Sequence, residues 1–168
     1  MKQNKYDDFV KIISRFIDRK RIFTDDLRRI AWGADAGFYH LTPQVVATTA
    51  NEYEVEQLLK VASSMKIPVT FRAAVTSLSG QSISDSVLVI AGKNWEDYTV
   101  SPDASTITMQ PGIIGNRVND ILKPYDRIFT PDPASKNSAM VGGIVINNAS
   151  GMNCGTHANS DKGLNSVK

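Results

Sequence analysis

The chain has 168 residues, of which 42% are hydrophobic and 21% charged, with 19 basic against 17 acidic side chains. This composition excludes a disordered or collagen-like chain, and the length suits one domain or one domain with an appended segment. The net charge of +2 gives no indication of nucleic-acid binding. No apolar run approaches the roughly 20 residues of a membrane span. The single cysteine, Cys154, cannot form an internal disulfide and favours a reducing, cytoplasmic compartment.

The first 40 residues predict two helices. Between residues 4 and 20, apolar side chains recur at helical spacing and charged side chains occupy the other faces, which predicts one amphipathic helix over this stretch. Thr24 or Asp25 can cap a second, shorter helix that runs to Trp32. Glycine and proline then break the pattern, so we interpret residues 1–40 as a helical N-terminal extension that docks elsewhere.

Strands and a helix alternate in the next 50 residues. Asn51 followed by Glu54 forms a capping box, and the apolar stripe behind it predicts a helix over residues 52–65. Apolar, β-branched runs predict strands at Val45–Thr48, Ile67–Arg72 and Val87–Ala91, the last of them buried on both faces. The order strand, helix, strand predicts a βαβ unit.

The last third of the chain predicts a hairpin and a helix. The runs Asp97–Ser101 and Thr106–Gln110 flank a turn-forming Pro-Asp-Ala cluster, which is typical of a β-hairpin. A helix is predicted over Gly115–Leu122, and Pro124 ends it. All these elements together predict an α+β fold with small mixed sheets and flanking helices.

Two segments of small, largely uncharged residues separate these elements, namely residues 73–82 and 131–156. Within residues 134–159 the only charged side chain is Lys136. Successive backbone N–H groups and hydroxyls can cradle a phosphate without lysine. The first segment supplies such hydroxyls at Thr76, Ser77 and Ser79. A tight turn packed against another element explains the same residues equally well. No G-x-G-x-x-G fingerprint or P-loop is present, so a phosphate ligand requires another architecture.

Several short motifs occur in the order found in one known family. The first is PVTFRAAVTSLSGQ at residues 68–81, and later ones are QPG at 110–112, PDPAS at 131–135, NNASG at 147–151 and CGT at 154–156. Together with Asp35-Ala36 upstream, they resemble the PCMH-type FAD-binding domain of the vanillyl-alcohol oxidase superfamily, over about residues 25–168. The sequence is most similar to FAD-linked D-lactate and glycolate dehydrogenases of the long type fused to an iron–sulfur module.

The resemblance implies that FAD binds non-covalently to two stretches of the chain. The loop after the predicted strand would wrap the pyrophosphate, and the later stretch would line the flavin and its ribityl chain. The implied cofactor-binding residues are Arg72, Ala73, Ala74, Val75, Thr76, Ser77, Leu78, Gly80, Gln81, Pro131, Asp132, Pro133, Gly142, Gly143, Asn147, Asn148, Ser150 and Gly151. The implied reaction is hydride transfer to the flavin from a D-2-hydroxy acid, lactate or glycolate.

One residue of the first motif departs from the family. The family usually has glycine where this chain has Val75. A β-branched residue strongly disfavours positive φ and blocks close approach of the backbone. Either the loop keeps φ negative at Val75, or FAD binding is weakened. The Val75→Gly substitution is therefore expected to tighten FAD binding.

The resemblance also implies that the family's domain extends past Lys168, followed by a substrate-binding cap domain and the iron–sulfur region. We therefore expect residues 41–168 to be a partial flavin domain without catalytic residues, with little turnover alone and self-association through uncovered apolar surface. The 2-hydroxy acid and the iron–sulfur clusters would bind in the missing region. Two alternatives stay open: a non-catalytic cofactor-binding or interaction module, and a flavin oxidoreductase of the same fold that acts on another alcohol.

Other conspicuous side chains have simpler interpretations. Cys154 is expected to be a small buried side chain rather than a redox thiol. One cysteine with His40 and His157 does not supply the four ligands of structural zinc, so no metal is expected. Arg72 either pairs with the pyrophosphate or lies at a strand end in solvent. Asp132 either contacts a cofactor hydroxyl or caps a turn.

Overall fold

The computed structural model describes residues 4–155 and 157–167, which form two compact units, one ending at Asn94 and the other beginning at Trp95. Both units mix helices with a small sheet, so the predicted α+β class is confirmed. No helix within the described residues is both long enough and apolar enough to span a bilayer.

The first unit is built on a four-stranded sheet in the order β1-β2-β4-β3. Its strands are β1 (Ile22–Phe23), β2 (Val45–Thr49), β3 (Val69–Arg72) and β4 (Val87–Ala91). Strand β4 runs parallel to both β2 and β3, whereas β1 pairs antiparallel with β2. The predicted strands are confirmed. The predicted βαβ unit is also present, with β4 inserted between its two strands.

Helix α3 (Glu52–Ser64) is the helix that the capping box predicted, and it connects β2 to β3. The Asn51 side chain accepts a hydrogen bond from the Glu54 backbone N–H at 2.9 Å. The Glu54 carboxylate reaches back to the backbone N–H of Ala50 at 2.8 Å. It also accepts hydrogen bonds from Nη1 and Nη2 of Arg21, each at 2.7 Å. This nearly buried carboxylate therefore joins the start of α3 to the segment that leads into β1.

The first helix, α1 (Lys5–Ile13), is much shorter than the predicted residues 4–20, so that boundary was wrong. The helix ends at Ser14, whose hydroxyl donates to the carbonyl of Val10 at 2.7 Å. The chain then turns into a short 3-10 helix at Arg19–Arg21. The apolar periodicity still identified the buried side, because Phe9, Ile13 and Ile17 pack in one cluster with the sheet and α3. The predicted second helix is confirmed as α2 (Asp26–Ala31), capped by Asp25.

The second unit contains the predicted hairpin, β5 (Tyr98–Val100) with β6 (Ile107–Met109), and the predicted helix α4 (Gly115–Leu122). It also contains α5 (Val141–Ile146) and α6 (Ser160–Gly163), which the sequence patterns did not predict. Helix α5 forms because Val141 and Ile144 are buried, and Val141 joins the core cluster that contains Ile113, Val118 and Leu122.

Candidate functional site

The first predicted cofactor segment is an irregular loop between the end of β3 and the start of β4. Val75 has a φ of 66° and Gly80 a φ of 75°, so both lie in the left-handed region. Glycine adopts this conformation without cost, whereas a β-branched residue is strained there. Of the two alternatives for Val75, negative φ is therefore wrong.

The loop is held in place by the carboxylate of Asp35. One oxygen, Oδ1, accepts from the backbone N–H of Gly37 at 2.8 Å. The other, Oδ2, accepts from the Ser77 hydroxyl and from the backbone N–H of Gly80, each at 3.0 Å. Burial alone would raise the pKa of Asp35, but these three hydrogen bonds and the charge of Arg72 together lower it below its usual value. The sequence motif included Asp35 but gave it no role.

Arg72, at the C-terminal end of β3, is buried, so its placement in solvent is excluded. Its guanidinium donates to the carbonyl of Trp32 and, at 2.6 Å, to that of Ala34. The group also lies 5.3 Å from the centroid of the Trp32 ring. Burial lowers the pKa of Arg72, and the charge of Asp35 counteracts this. Among the described residues, the buried Nε atom of Arg72 has no hydrogen-bond partner.

The donors of this loop fit a phosphate group. Within residues 4–155 and 157–167, none of the backbone N–H groups of residues 74–79 donates a hydrogen bond to the chain, and neither does the hydroxyl of Thr76 or Ser79. The hydroxyl of Ser77 already donates to Asp35, so it cannot donate to a phosphate at the same time. The donors in this segment that remain available to a ligand are therefore chiefly backbone N–H groups, the type of donor that binds anions in protein loops.

The second predicted segment contains a polar cluster around Asp132. The carboxylate of Asp132 accepts from the ammonium of Lys136 and from the side-chain amide of Asn153. The bond from Lys136 is the main reason that the pKa of Asp132 is lowered. A Cβ atom added to Gly151 would overlap the carbonyl oxygen of Asp132, so only glycine allows this approach. The structure thus brings residues 131–133 and 151–153 together.

Several residues of this segment have structural roles within the same unit. Gly142 lies in α5, and its N–H donates to the carbonyl of Pro111 at 2.9 Å, in the QPG motif. The side chain of Asn148 accepts from the backbone N–H of Asp161 at 3.0 Å. Cys154 is buried, with its sulfur 3.0 Å from the backbone nitrogen of Gly151, so its prediction as a small buried side chain is confirmed.

Two further observations concern possible metal ligands and one residue of the last motif. Among the described residues there is no group of three or more His, Cys, Asp or Glu side chains that could hold a metal ion. Nε2 of His40 lies 3.4 Å from the carbonyl oxygen of Ile30. Thr156, which belongs to the last motif of the resemblance, lies outside the described residues.

Comparison with protein families agrees with this geometry. A model described as "FAD binding domain" matches residues 43–168. The glycolate oxidase subunit GlcD of Escherichia coli K12 is 28% identical over 118 residues, which is 69% of this chain and 24% of that protein. The D-2-hydroxyglutarate dehydrogenase of Pseudomonas putida is 23% identical over 156 residues, which is 90% of this chain and 16% of that protein. The chain thus spans at most about a quarter of these relatives.

Solved structures share the fold. An alkyldihydroxyacetonephosphate synthase superposes with a TM-score of 0.79 at 18% sequence identity, covering 93% of this chain and 33% of the synthase. At this identity the likeness shows the fold alone. It confirms the fold that the sequence motifs implied, and the matched family confirms the resemblance itself.

Proposed function

The chain belongs to the family of FAD-binding domains of FAD-linked oxidoreductases, and from this premise we propose that it holds FAD non-covalently for the oxidation of a D-2-hydroxy acid. The observation that carries the proposal is the run of backbone N–H groups at residues 74–79 that have no partner within the described chain. The choice of substrate is supported by relatives whose names specify glycolate and D-2-hydroxyglutarate.

In this proposal the two segments divide the cofactor between them. Residues 72–81 hold the pyrophosphate through backbone N–H groups, and the guanidinium of Arg72 adds positive charge at the start of the loop. Residues 131–133 and 142–151 line the flavin and the ribityl chain. When bound, the flavin supplies the redox chemistry by accepting hydride from the substrate carbon. We assign no residue of this chain as the base that takes the hydroxyl proton of the substrate. The substrate site and the electron acceptor are questions for the whole protein.

The proposal retains the predicted domain division. Residues 1–40 are a mainly helical N-terminal extension that packs on the sheet of the first unit and adds β1 to it, and residues 41–168 are part of the flavin domain. The single cysteine supports a cytoplasmic location. Exposed apolar side chains on the two units support self-association of this chain, which light scattering would detect; they include Phe38, Leu78, Ile146 and Met152.

A binding experiment tests the cofactor proposal directly. We expect the purified chain to bind FAD, and to bind ADP at least about tenfold more tightly than adenosine, because the loop recognises the diphosphate. Isothermal titration with the three compounds measures this, and far-UV circular dichroism confirms that the chain is folded. A folded chain that binds none of them, or that binds ADP no better than adenosine, would overturn the proposal.

A second candidate is a cofactor-binding module without catalysis. Val75 in the candidate phosphate loop favours it, because a branched side chain at a position with positive φ is expected to weaken FAD binding, which an interaction module tolerates better than an enzyme. Adding glycolate, D-lactate or D-2-hydroxyglutarate to the whole FAD-loaded protein separates the two candidates. Loss of the yellow colour of oxidised flavin supports the oxidoreductase, and its persistence with every 2-hydroxy acid supports the module.

A further inference from the structure

Asp35 lies upstream of residue 43, where the match to the family begins, yet its carboxylate contacts the centre of the candidate phosphate loop. We propose that Asp35 is a positioning residue, which fixes the loop in the conformation that presents its N–H groups to a diphosphate. The inference rests on the proposed function, since it concerns the same loop.

Both ends of the loop are attached to one short stretch of chain, residues 32–37, which we call the anchor segment. At the start of the loop, Arg72 donates to the carbonyls of Trp32 and Ala34. Farther along, Ser77 and Gly80 both donate to Asp35. The anchor segment also donates to the loop, because the N–H of its residue 36 bonds to the carbonyl of Ser77 at 3.0 Å. The hydrogen bonds to the anchor segment therefore hold the loop in one conformation.

Only an ionised carboxylate can accept all three of the hydrogen bonds that Asp35 receives. Oδ2 accepts from two donors, while Oδ1 accepts from the Gly37 N–H. An asparagine has one oxygen acceptor and an NH₂ group, so it would place a donor against the N–H of Gly80 or against that of Gly37. Asp35 is ionised at neutral pH because its pKa lies below the usual value. The neighbouring buried guanidinium of Arg72 balances its negative charge.

The fixed loop has a direct consequence for binding. Residues 74–79 lie between the attachments of Arg72 and Gly80, and Ser77 is attached as well, so their N–H groups are held in place before a ligand arrives. A loop ordered in advance loses less conformational entropy on binding and needs no reorganisation to meet the phosphate charge. Removing the Asp35 carboxylate should therefore weaken diphosphate binding without unfolding the sheet and the α3 helix.

The experiment compares Asp35→Asn with Asp85→Asn, which removes the same charge from an exposed position of the same unit. Ser77→Ala removes one of the three hydrogen bonds and serves as a graded variant. FAD and ADP affinities are measured by titration, and amide hydrogen exchange is followed without ligand. We expect Asp35→Asn to weaken both ligands about tenfold or more, Ser77→Ala to lie between it and wild type, and Asp85→Asn to match wild type.

Exchange distinguishes positioning from general loss of structure. In Asp35→Asn, the hydrogen-bonded amides of Gly80, Gly37 and Ala36 should exchange faster, while those of β2 and α3 keep wild-type rates. Unchanged affinities in Asp35→Asn, or faster exchange throughout the unit, would refute the inference. If wild type binds neither FAD nor ADP, the proposed function fails. In that case, unchanged Gly80 exchange in Asp35→Asn overturns the structural claim as well, and locally faster exchange sustains it.

Discussion

Val75 is the residue at which this loop departs most from what its conformation requires. Its φ of 66° is left-handed, which costs about 1–2 kcal/mol for a residue with a Cβ atom. The Val75→Gly substitution removes this strain. It also loses about 0.5–1 kcal/mol to the greater freedom of glycine in the unfolded chain. Loss of the half-buried isopropyl group removes about 1 kcal/mol more. The free energy of unfolding should therefore change by no more than about 1 kcal/mol.

The effect on FAD binding should be larger than the effect on folding. Strain at Val75 is present in the free and the bound loop alike, so it cancels from the binding free energy. Val75, however, belongs to the run of residues 74–79 whose N–H groups have no partner in the described chain, so we expect its two γ-methyl groups to hinder approach of the pyrophosphate. Each hydrogen bond to a charged group that forms after their removal contributes about 1.5–3 kcal/mol. We therefore expect Val75→Gly to tighten FAD binding at least about tenfold.

The assay is a titration of FAD into wild type, Val75→Gly and Val75→Ala. The alanine variant lacks the γ-methyl groups but keeps Cβ, so its affinity should lie between the other two. Lys66→Gly is the matched control, because Lys66 also has positive φ, 51°, at the C-terminal end of α3. That variant should gain up to about 1 kcal/mol of stability without a change in FAD affinity. Equal affinities of wild type and Val75→Gly would refute the steric argument.

Two further predictions concern structure away from the loop. Glu54→Ala leaves the partly buried guanidinium of Arg21 without its carboxylate partner and should lower the free energy of unfolding in urea by about 2–4 kcal/mol. Glu56→Ala, at an exposed ion pair, should lower it by less than about 0.5 kcal/mol. Similar losses in the two variants would contradict this. In the hairpin turn, hydrogen bonds from Ser101 and Ser105 lower the pKa of Asp103 to about 2. Because the folded-state pKa is depressed, this stabilisation is present above pH of about 4 and is lost as the pH falls towards 2. An NMR titration of Asp103 should have its midpoint near 2, and a midpoint near 4 would disprove the bonding.

Short sequence patterns correctly predicted the helices and strands whose formation depends on neighbouring residues. The capping box at Asn51 and the apolar run at Val87–Ala91 specify their helix and strand within a few residues, and the structure agrees. The extent of α1 was wrong because apolar periodicity records which residues are buried, and Ile17 is buried after a turn rather than on a continuing helix. Helix α5 was missed because paired glycines hide a helix whose burial of Val141 and Ile144 comes from tertiary packing.

The candidate phosphate loop could be proposed from the sequence, whereas the contacts that hold it in place could not. Small residues and hydroxyls after a strand are contiguous in sequence, so the candidate loop could be recognised from the motif. The bonds from Ser77 and Gly80 to Asp35 span 42 and 45 residues. No periodicity or spacing connects positions that far apart. The same holds for Arg72, whose carbonyl partners lie 38 and 40 residues upstream.

The two largely uncharged segments are similar in composition, but their small residues have different structural roles. In the second segment, Gly142 and Gly151 pack against the backbone or side chains of Pro111 and Asp132, which is a packing requirement within one unit. In the first, residues 74–79 leave their N–H groups without partners in the described chain. Unpaired backbone donors need a ligand or water, whereas small size alone does not. The unpaired donors, rather than the small residues, are therefore the feature that indicates a phosphate site.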